Sequence, residues 1–270
     1  WSVNHWAIGD LVSRMDEVTD EQIDAQMDSY AKDYEIATED TDAVRYQAKI
    51  EVALRSMLEE GNFGAFTTNF EDLYGMEQLP GLAAQDLMKD GYGFGAEGDW
   101  KTAAMTRIIK LMAQGRPEGT TFMEDYTYSF EPGNEMIMGA HMLEVCPSVA
   151  DEKPRIEVHP LSIGDKDDPA RLIFNGTKGS GIVVTLIDLG GRFRMIVNDI
   201  ECVTPENDMP NLPVARVLWK PLPDLATSAE AWILAGGAHH SVLTYAITAD
   251  EMRDFAEILG IEFIHINSDT

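Results

Sequence analysis

Basic residues are scarce in this chain. Lys and Arg total 20 against 47 Asp and Glu, a net charge of −27. A surface of that sign repels nucleic acid and anionic membrane, and it argues against both as partners. It also weighs against a phosphorylated substrate; its plainest service is solubility. Cysteine is scarcer still. Cys146 and Cys202 are the two, and neither belongs to a C-x-x-C pair. That speaks against a zinc ribbon or a dithiol redox motif and fits a cytosolic enzyme. No apolar run approaches the ~18 residues that a membrane helix needs. No charged stretch followed by an apolar one opens the chain as a secretory signal would, so "NGT" at 175–177 reads as a chance sequon. The chain starts at Trp1, and "WSVNHWAIGDLV" reads as mid-domain sequence, which predicts a piece of something longer.

What is present is ordinary globular sequence, with 270 residues of which 44% are hydrophobic. At roughly 100–200 residues per domain, that length predicts one or two domains. Up to about residue 118 the pattern alternates helices with short apolar strands. Thr19 and Gln22 have capping-box spacing, and Ile23, Met27, Tyr30 and Tyr34 follow at helical intervals. A second helix carries Ile50, Leu54 and Met57 and stops at Gly61. "LPGLAAQDLMKDG" and "KTAAMTRIIKLMAQG" read as further helices, with "FGAFTTNF" as a strand between. Such alternation predicts an α/β domain with a parallel sheet and flanking helices over residues 1–118. From residue 119 to 270 strand patterns dominate. Hairpin turns are expected at "EPGN" and "LGGR", with helices at "SAEAWIL" and after Thr248, and "IEFIHI" as a closing strand. This predicts a mainly antiparallel, β-barrel-like domain with a few helices.

Only six histidines occur, and two stand side by side in "AGGAHHSV", residues 235–242. Neighbours on a strand point to opposite faces, so His239 and His240 are expected to do different jobs: one holds a metal, the other faces what the metal holds. Three further positions place a titratable group among small or apolar neighbours, where a charge is costly unless paired or metal-bound. They are Glu97 in "GFGAEGDW", Glu124 in "TFMEDYTYSF" and His141 in "IMGAHMLEV". Taken singly, Glu97 reads as a loop glutamate, Glu124 as a strand carboxylate pairing with a lysine, and His141 as a core histidine. Together, two carboxylates and two imidazoles suit a divalent ion such as Mn²⁺, Co²⁺ or Fe²⁺, with positions left open for substrate or water. Cysteine-free ligation argues against a structural zinc site. "GDKDDPAR" lacks the EF-hand spacing and reads as a turn into a strand.

The segments "GYGFGAEGDWKTAAM", "FMEDYTYSFEPGNE", "GAHMLEVCPS", "KDDPARLIFN" and "EAWILAGGAHHSV" resemble the bacterial L-arabinose isomerase family, and the resemblance runs over the whole chain. It implies a cytosolic enzyme that converts L-arabinose to L-ribulose, with D-galactose to D-tagatose as a side activity, and that uses Mn²⁺ or Co²⁺. It implies Glu97, Glu124, His141 and His240 as the metal ligands, with His239 and Phe70 facing the sugar. Glu97 and Glu124 become the acid–base pair of a proton transfer through a cis-enediol, in either assignment, with a metal-assisted hydride shift as the mechanistic rival. The family carries a further N-terminal domain, a short C-terminal tail and a homo-oligomeric assembly in which a neighbouring subunit completes the sugar pocket. The resemblance therefore also implies truncation, with a metal- or sugar-binding remnant without turnover as the alternative.

Overall fold

Capping chemistry sets where the helices begin. The computed structural model describes residues 1–207 and 209–270. Helices α1 (Ile8–Glu17) and α2 (Asp20–Asp33) come first, and Thr19 and Gln22 close a reciprocal capping box at the start of α2, as their spacing predicts. A two-residue strand β1 (Glu35–Ile36) leads to α3 (Thr41–Glu60), which Asp40 caps and Gly61 ends. Strand β2 (Ala65–Thr68), helix α4 (Gly81–Lys89), strand β3 (Gly93–Ala96) and helix α5 (Trp100–Met112) follow. Strands β2 and β3 run parallel, in the register Ala65–Gly93 to Thr68–Ala96. Helix α5 lies so close on β3 that a Cβ at Gly93 would fall 2.1 Å from the Ala103 carbonyl oxygen, and one at Gly95 would fall 2.4 Å from that of Asp99. Glycine is what permits that approach.

The second part is built on strands β4 (Thr120–Ser129), β5 (Met136–Ala140), β6 (Arg155–Val158), β7 (Ala170–Ile173), β8 (Gly179–Asp188), β9 (Phe193–Val203) and β10 (Arg216–Pro221). Helix α6 (Leu225–Ala235), strand β11 (His240–Thr244), helix α7 (Ala249–Leu259) and strand β12 (Glu262–Ile266) complete it. The expected hairpins join β4 to β5 and β8 to β9, both antiparallel. The large sheet runs β10-β5-β4-β11-β8-β9-β12, and an additional β9–β10 pairing closes six of its strands into an antiparallel barrel. Closure leaves no free edge among those six. Strand β12 is added outside, parallel to β9. The Thr248–Glu251 capping box starts α7, and Gly260, in the left-handed conformation, ends it. The architecture is therefore the expected one: a parallel α/β region and an antiparallel barrel with a few helices. Strands β6 and β7 have a separate allegiance. They form a three-stranded sheet with β1, which pairs parallel to β6.

Several buried polar side chains tie these layers together. Gln85 on α4 donates to the Val145 carbonyl (3.0 Å) beyond β5 and accepts from the Leu172 N–H (2.7 Å) on β7. Glu51 on α3 is fully buried; it accepts from the Tyr30 hydroxyl (2.6 Å) and from Arg55 (2.6 Å). Burial and the neighbouring Asp86 push its carboxyl up to about 8 despite those donors. Asp86 in turn accepts from Lys89 (2.9 Å) and from the Tyr34 hydroxyl. Among the described residues, no helix is long and apolar enough to cross a membrane.

Candidate metal centre

Strand register brings most of the candidate ligands together. Glu124 on β4 stands opposite His240 on β11 and, on its other side, opposite Ala140 at the end of β5. His141 is the next residue, just past the end of β5 rather than within the strand. Directly opposed residues of an antiparallel pair share a face, so the pairing sets Glu124 and His240 together, and His141 joins them from just beyond the end of β5. The Glu124 carboxylate lies 3.9 Å from Nε2 of His141. The rings of His141 and His240 are 6.0 Å apart, centroid to centroid. Phe122, fully buried two residues before Glu124, meets both rings edge to face, at 5.0 Å from His141 and 5.1 Å from His240.

The fourth candidate arrives from the α/β part. Glu97 follows β3 directly and adopts a left-handed backbone, with φ of 58°. That conformation is uncommon for a residue with a side chain and costs of order 1 kcal/mol or more. It turns the chain between β3 and α5 and sets the Glu97 carboxylate 4.0 Å from Nε2 of His240. Glu97, His239 and His240 each offer a ligand atom within 4.8 Å of the other two. His239 therefore belongs to the cluster itself, its ring 4.4 Å from that of His240. Glu97 and His239 are exposed, while His141 and His240 are buried. Phe70 lies in the short turn after β2, packed against the core beneath α1 and α3; Thr68, the last residue of β2, pairs with Ala96, the residue before Glu97.

Each buried imidazole has a carboxylate behind it that the sequence reading did not identify. Glu144 Oε2 is 2.5 Å from Nδ1 of His141, and Asp99 Oδ2 is 3.3 Å from Nδ1 of His240. With Nδ1 engaged from behind, Nε2 of each ring faces forward, toward Glu124 and Glu97 respectively. That is how metal-ligating histidines are commonly oriented. Burial works against a charged His141, but the charge and hydrogen bond of Glu144, with Glu124 and Glu97 beyond, outweigh it and raise its pKa. Asp99 also caps α5, accepting from the Thr102 N–H (3.1 Å) and hydroxyl (2.6 Å). Burial alone would raise its pKa, yet the His240 and Thr102 hydrogen bonds with Lys101 hold it well below the carboxylate range. Asp125, next along β4, accepts from the Tyr128 hydroxyl, and its other oxygen is buried with no hydrogen-bond partner among the described residues; burial raises its pKa. The signals for these acids are faint in sequence. Glu144 stands three residues after His141, and Asp99 precedes a helix as any N-cap would.

Among the described residues, Glu97, His239 and His240 bring ligand atoms within 4.8 Å of one another, a group that could hold a divalent cation. Glu124 and His141 lie outside that group as a second carboxylate–imidazole pair; the facing atoms are 4.0 Å apart in the Glu97–His240 pair and 3.9 Å apart in this one. Metal–ligand bonds of about 2.0–2.2 Å span such gaps. Mixed N and O ligation with no sulfur suits Mn²⁺, Co²⁺ or Fe²⁺. A second acidic group, Glu51, Asp86 and Asp90, also lies within bonding range of a single point. Arg55, Lys89 and two tyrosine hydroxyls already occupy it, so it is an internal ion-pair network.

The chain matches two family models, the L-arabinose isomerase central domain over residues 1–115 and the L-arabinose isomerase C-terminal domain over residues 119–262. It is 58% identical to an L-arabinose isomerase of Geobacillus kaustophilus over 276 aligned residues, 60% identical to L-arabinose isomerase 1 of Bacillus licheniformis over 272, and 53% identical to that of a Nocardioides species over 275. In each case the alignment takes in 100% of this chain and 55% of the relative. The chain thus spans about half the length of the curated relatives it matches.

Proposed function

The chain belongs to the L-arabinose isomerase family, and from that premise we propose that it carries the metal-binding, proton-transferring core of an aldose–ketose isomerase that converts L-arabinose to L-ribulose. D-galactose to D-tagatose is the expected side reaction. The observation that supports this reading most directly is the pair of carboxylate–imidazole contacts, Glu97 to His240 and Glu124 to His141, whose two rings lie 6.0 Å apart.

In this reading Glu97, Glu124, His141 and His240 hold Mn²⁺ or Co²⁺. When bound, the ion polarises the sugar carbonyl and acidifies the adjacent C–H. One of Glu97 and Glu124 takes the proton from C2 and returns it to C1; the other protonates O1 and then takes the proton from O2, so that the sugar passes through a cis-enediol to the ketose. The exposed His239 hydrogen-bonds the sugar from the open side, and Phe70 lines the approach. Phe122 keeps water from the rear of both imidazoles. The units proposed are residues 1–118 and 119–270, in a cytoplasmic homo-oligomer with no nucleic-acid or membrane partner. A second reading, metal binding without turnover, draws on the exposure of Glu97 and His239, which leaves one side of the site open.

The test is ketose formation from L-arabinose by the chelator-treated chain, with and without added Mn²⁺. Metal-dependent ketose supports the isomerase. No ketose, with Mn²⁺ still raising the melting temperature, supports the second reading. Neither ketose nor a Mn²⁺ shift overturns both.

A further inference from the structure

We propose that Glu144 is a positioning residue for the metal centre, fixing His141 in the tautomer that presents a bare Nε2 to the ion. The inference rests on the metal-binding reading above and concerns a residue that reading does not use. A carboxylate has no proton to give, so the 2.5 Å contact between Glu144 Oε2 and His141 Nδ1 requires the ring to donate from Nδ1. In the neutral ring Nε2 is then the bare nitrogen, and it is the one that faces Glu124 at 3.9 Å. An imidazole free of such a partner favours the opposite tautomer, with the proton on Nε2, where it would block ligation.

The surroundings hold Glu144 to this task. Its side chain is 9% exposed, and the same Oε2 accepts from the Leu143 N–H at 3.2 Å. Arg171, 2% exposed, reaches under the turn and donates to the carbonyls of Met142 (3.3 Å) and His159 (2.6 Å). Its Nε is buried with no hydrogen-bond partner among the described residues. Burial lowers the Arg171 pKa, and the Glu144 charge, acting without a direct ion pair, works against that. Gln85 pins the following residue by its bond to the Val145 carbonyl, at 3.0 Å. Hydrogen bonds to the Met142 and Val145 carbonyls thus tie the turn on both sides of Glu144.

Two measurements on this chain test the proposal. The first needs no metal: the ¹⁵N shifts of the His141 ring in the chelated protein, assigned with His141→Gln. They should report a proton on Nδ1 in the parent and a shift toward Nε2–H in Glu144→Met. The second is Mn²⁺ affinity from the free-ion EPR signal. Glu144→Met should bind about 10–100-fold more weakly than the parent. Glu144→Gln, whose amide oxygen can still accept from Nδ1, should recover most of that loss. A parent ring that is neutral and protonated on Nε2, read at a pH above its titration, overturns the proposal, as does parent-like Mn²⁺ affinity in a folded Glu144→Met. If Glu144→Met does not fold, the parent tautomer decides. If the parent itself binds no Mn²⁺, the metal reading has failed, and the tautomer measurement still decides whether Glu144 orients the ring.

Discussion

Glu124 and His240 stand directly opposite one another across β4 and β11, so two side chains 116 positions apart in the chain emerge on the same face of one antiparallel pair. Everything else in the site is arranged around that pairing. Glu124 is half-buried at its end of the strand, with Phe122 below it. Glu124→Gln keeps the shape of the side chain and removes its capacity to take a proton. Ketose formation should fall at least ~100-fold, the usual worth of a positioned acid or base. The melting temperature of the metal-free protein should stay within a few degrees of the parent. Normal turnover in Glu124→Gln would falsify its catalytic role.

Glu97 holds a left-handed backbone that glycine adopts freely. Glu97→Gly should therefore leave the metal-free fold as stable as the parent, or more stable by up to about 1 kcal/mol. Mn²⁺ binding should weaken and ketose formation should disappear. Chemical denaturation with and without Mn²⁺ separates the two effects. A clear loss of metal-free stability would show that the Glu97 side chain contributes to folding.

Phe122 touches both buried imidazoles and also meets Phe94 of β3 at 5.5 Å, ring to ring. Phe122→Ala removes a fully buried ring at the seam between the two parts and should destabilise by about 3–5 kcal/mol in urea. Phe122→Leu should retain most of that stability while loosening both rings, so that Mn²⁺ affinity drops more than stability does. If the two properties fall in proportion, the ring is filling space and not orienting ligands.

Glu51 titrates far from the metal centre. Its carboxyl is raised from 4.5 to about 8 in the folded chain. The folded state thus keeps the proton through a range where the unfolded chain has lost it. Its contribution to stability is complete below pH 4.5 and is lost as pH rises toward 8. Glu51→Gln should gain stability relative to the parent across that interval, since the amide never ionises. Melting curves of both proteins at pH 5, 6, 7 and 8 should converge or cross in the variant's favour, and a constant difference would show that Glu51 does not titrate there.

Local chemistry was the legible part of this chain. The Thr19–Gln22 and Thr248–Glu251 boxes, the hairpins at "EPGN" and "LGGR" and the glycine after α7 all depend on residues a few positions apart, and each forms as read. Long-range pairing was not legible. The two residues of β1 are too few to show any periodicity, and their partner β6 lies more than a hundred positions away. Nothing in β9 or β10 alone announces that they meet to close the barrel. The site divides the same way. Glu97, Glu124, His141 and His240 stand out because charge or imidazole among apolar neighbours is costly. Asp99 and Glu144 do not, since an aspartate before a helix and a glutamate in a turn are common. His239, expected to face away from its neighbour, lies within ligand range of Glu97 because the chain enters β11 between them.

Asp99 joins two tasks, capping α5 while bonding His240, and Glu97 leaves β3 two residues earlier. Their partners belong to the barrel. An ion held by this set is a rivet through two layers, tightened by whatever keeps α5 seated and loosened by whatever lifts it. Occupancy and layer docking then become one equilibrium seen from two ends. At a hundredfold excess over its dissociation constant, the ion adds about 2.7 kcal/mol against separation of the layers.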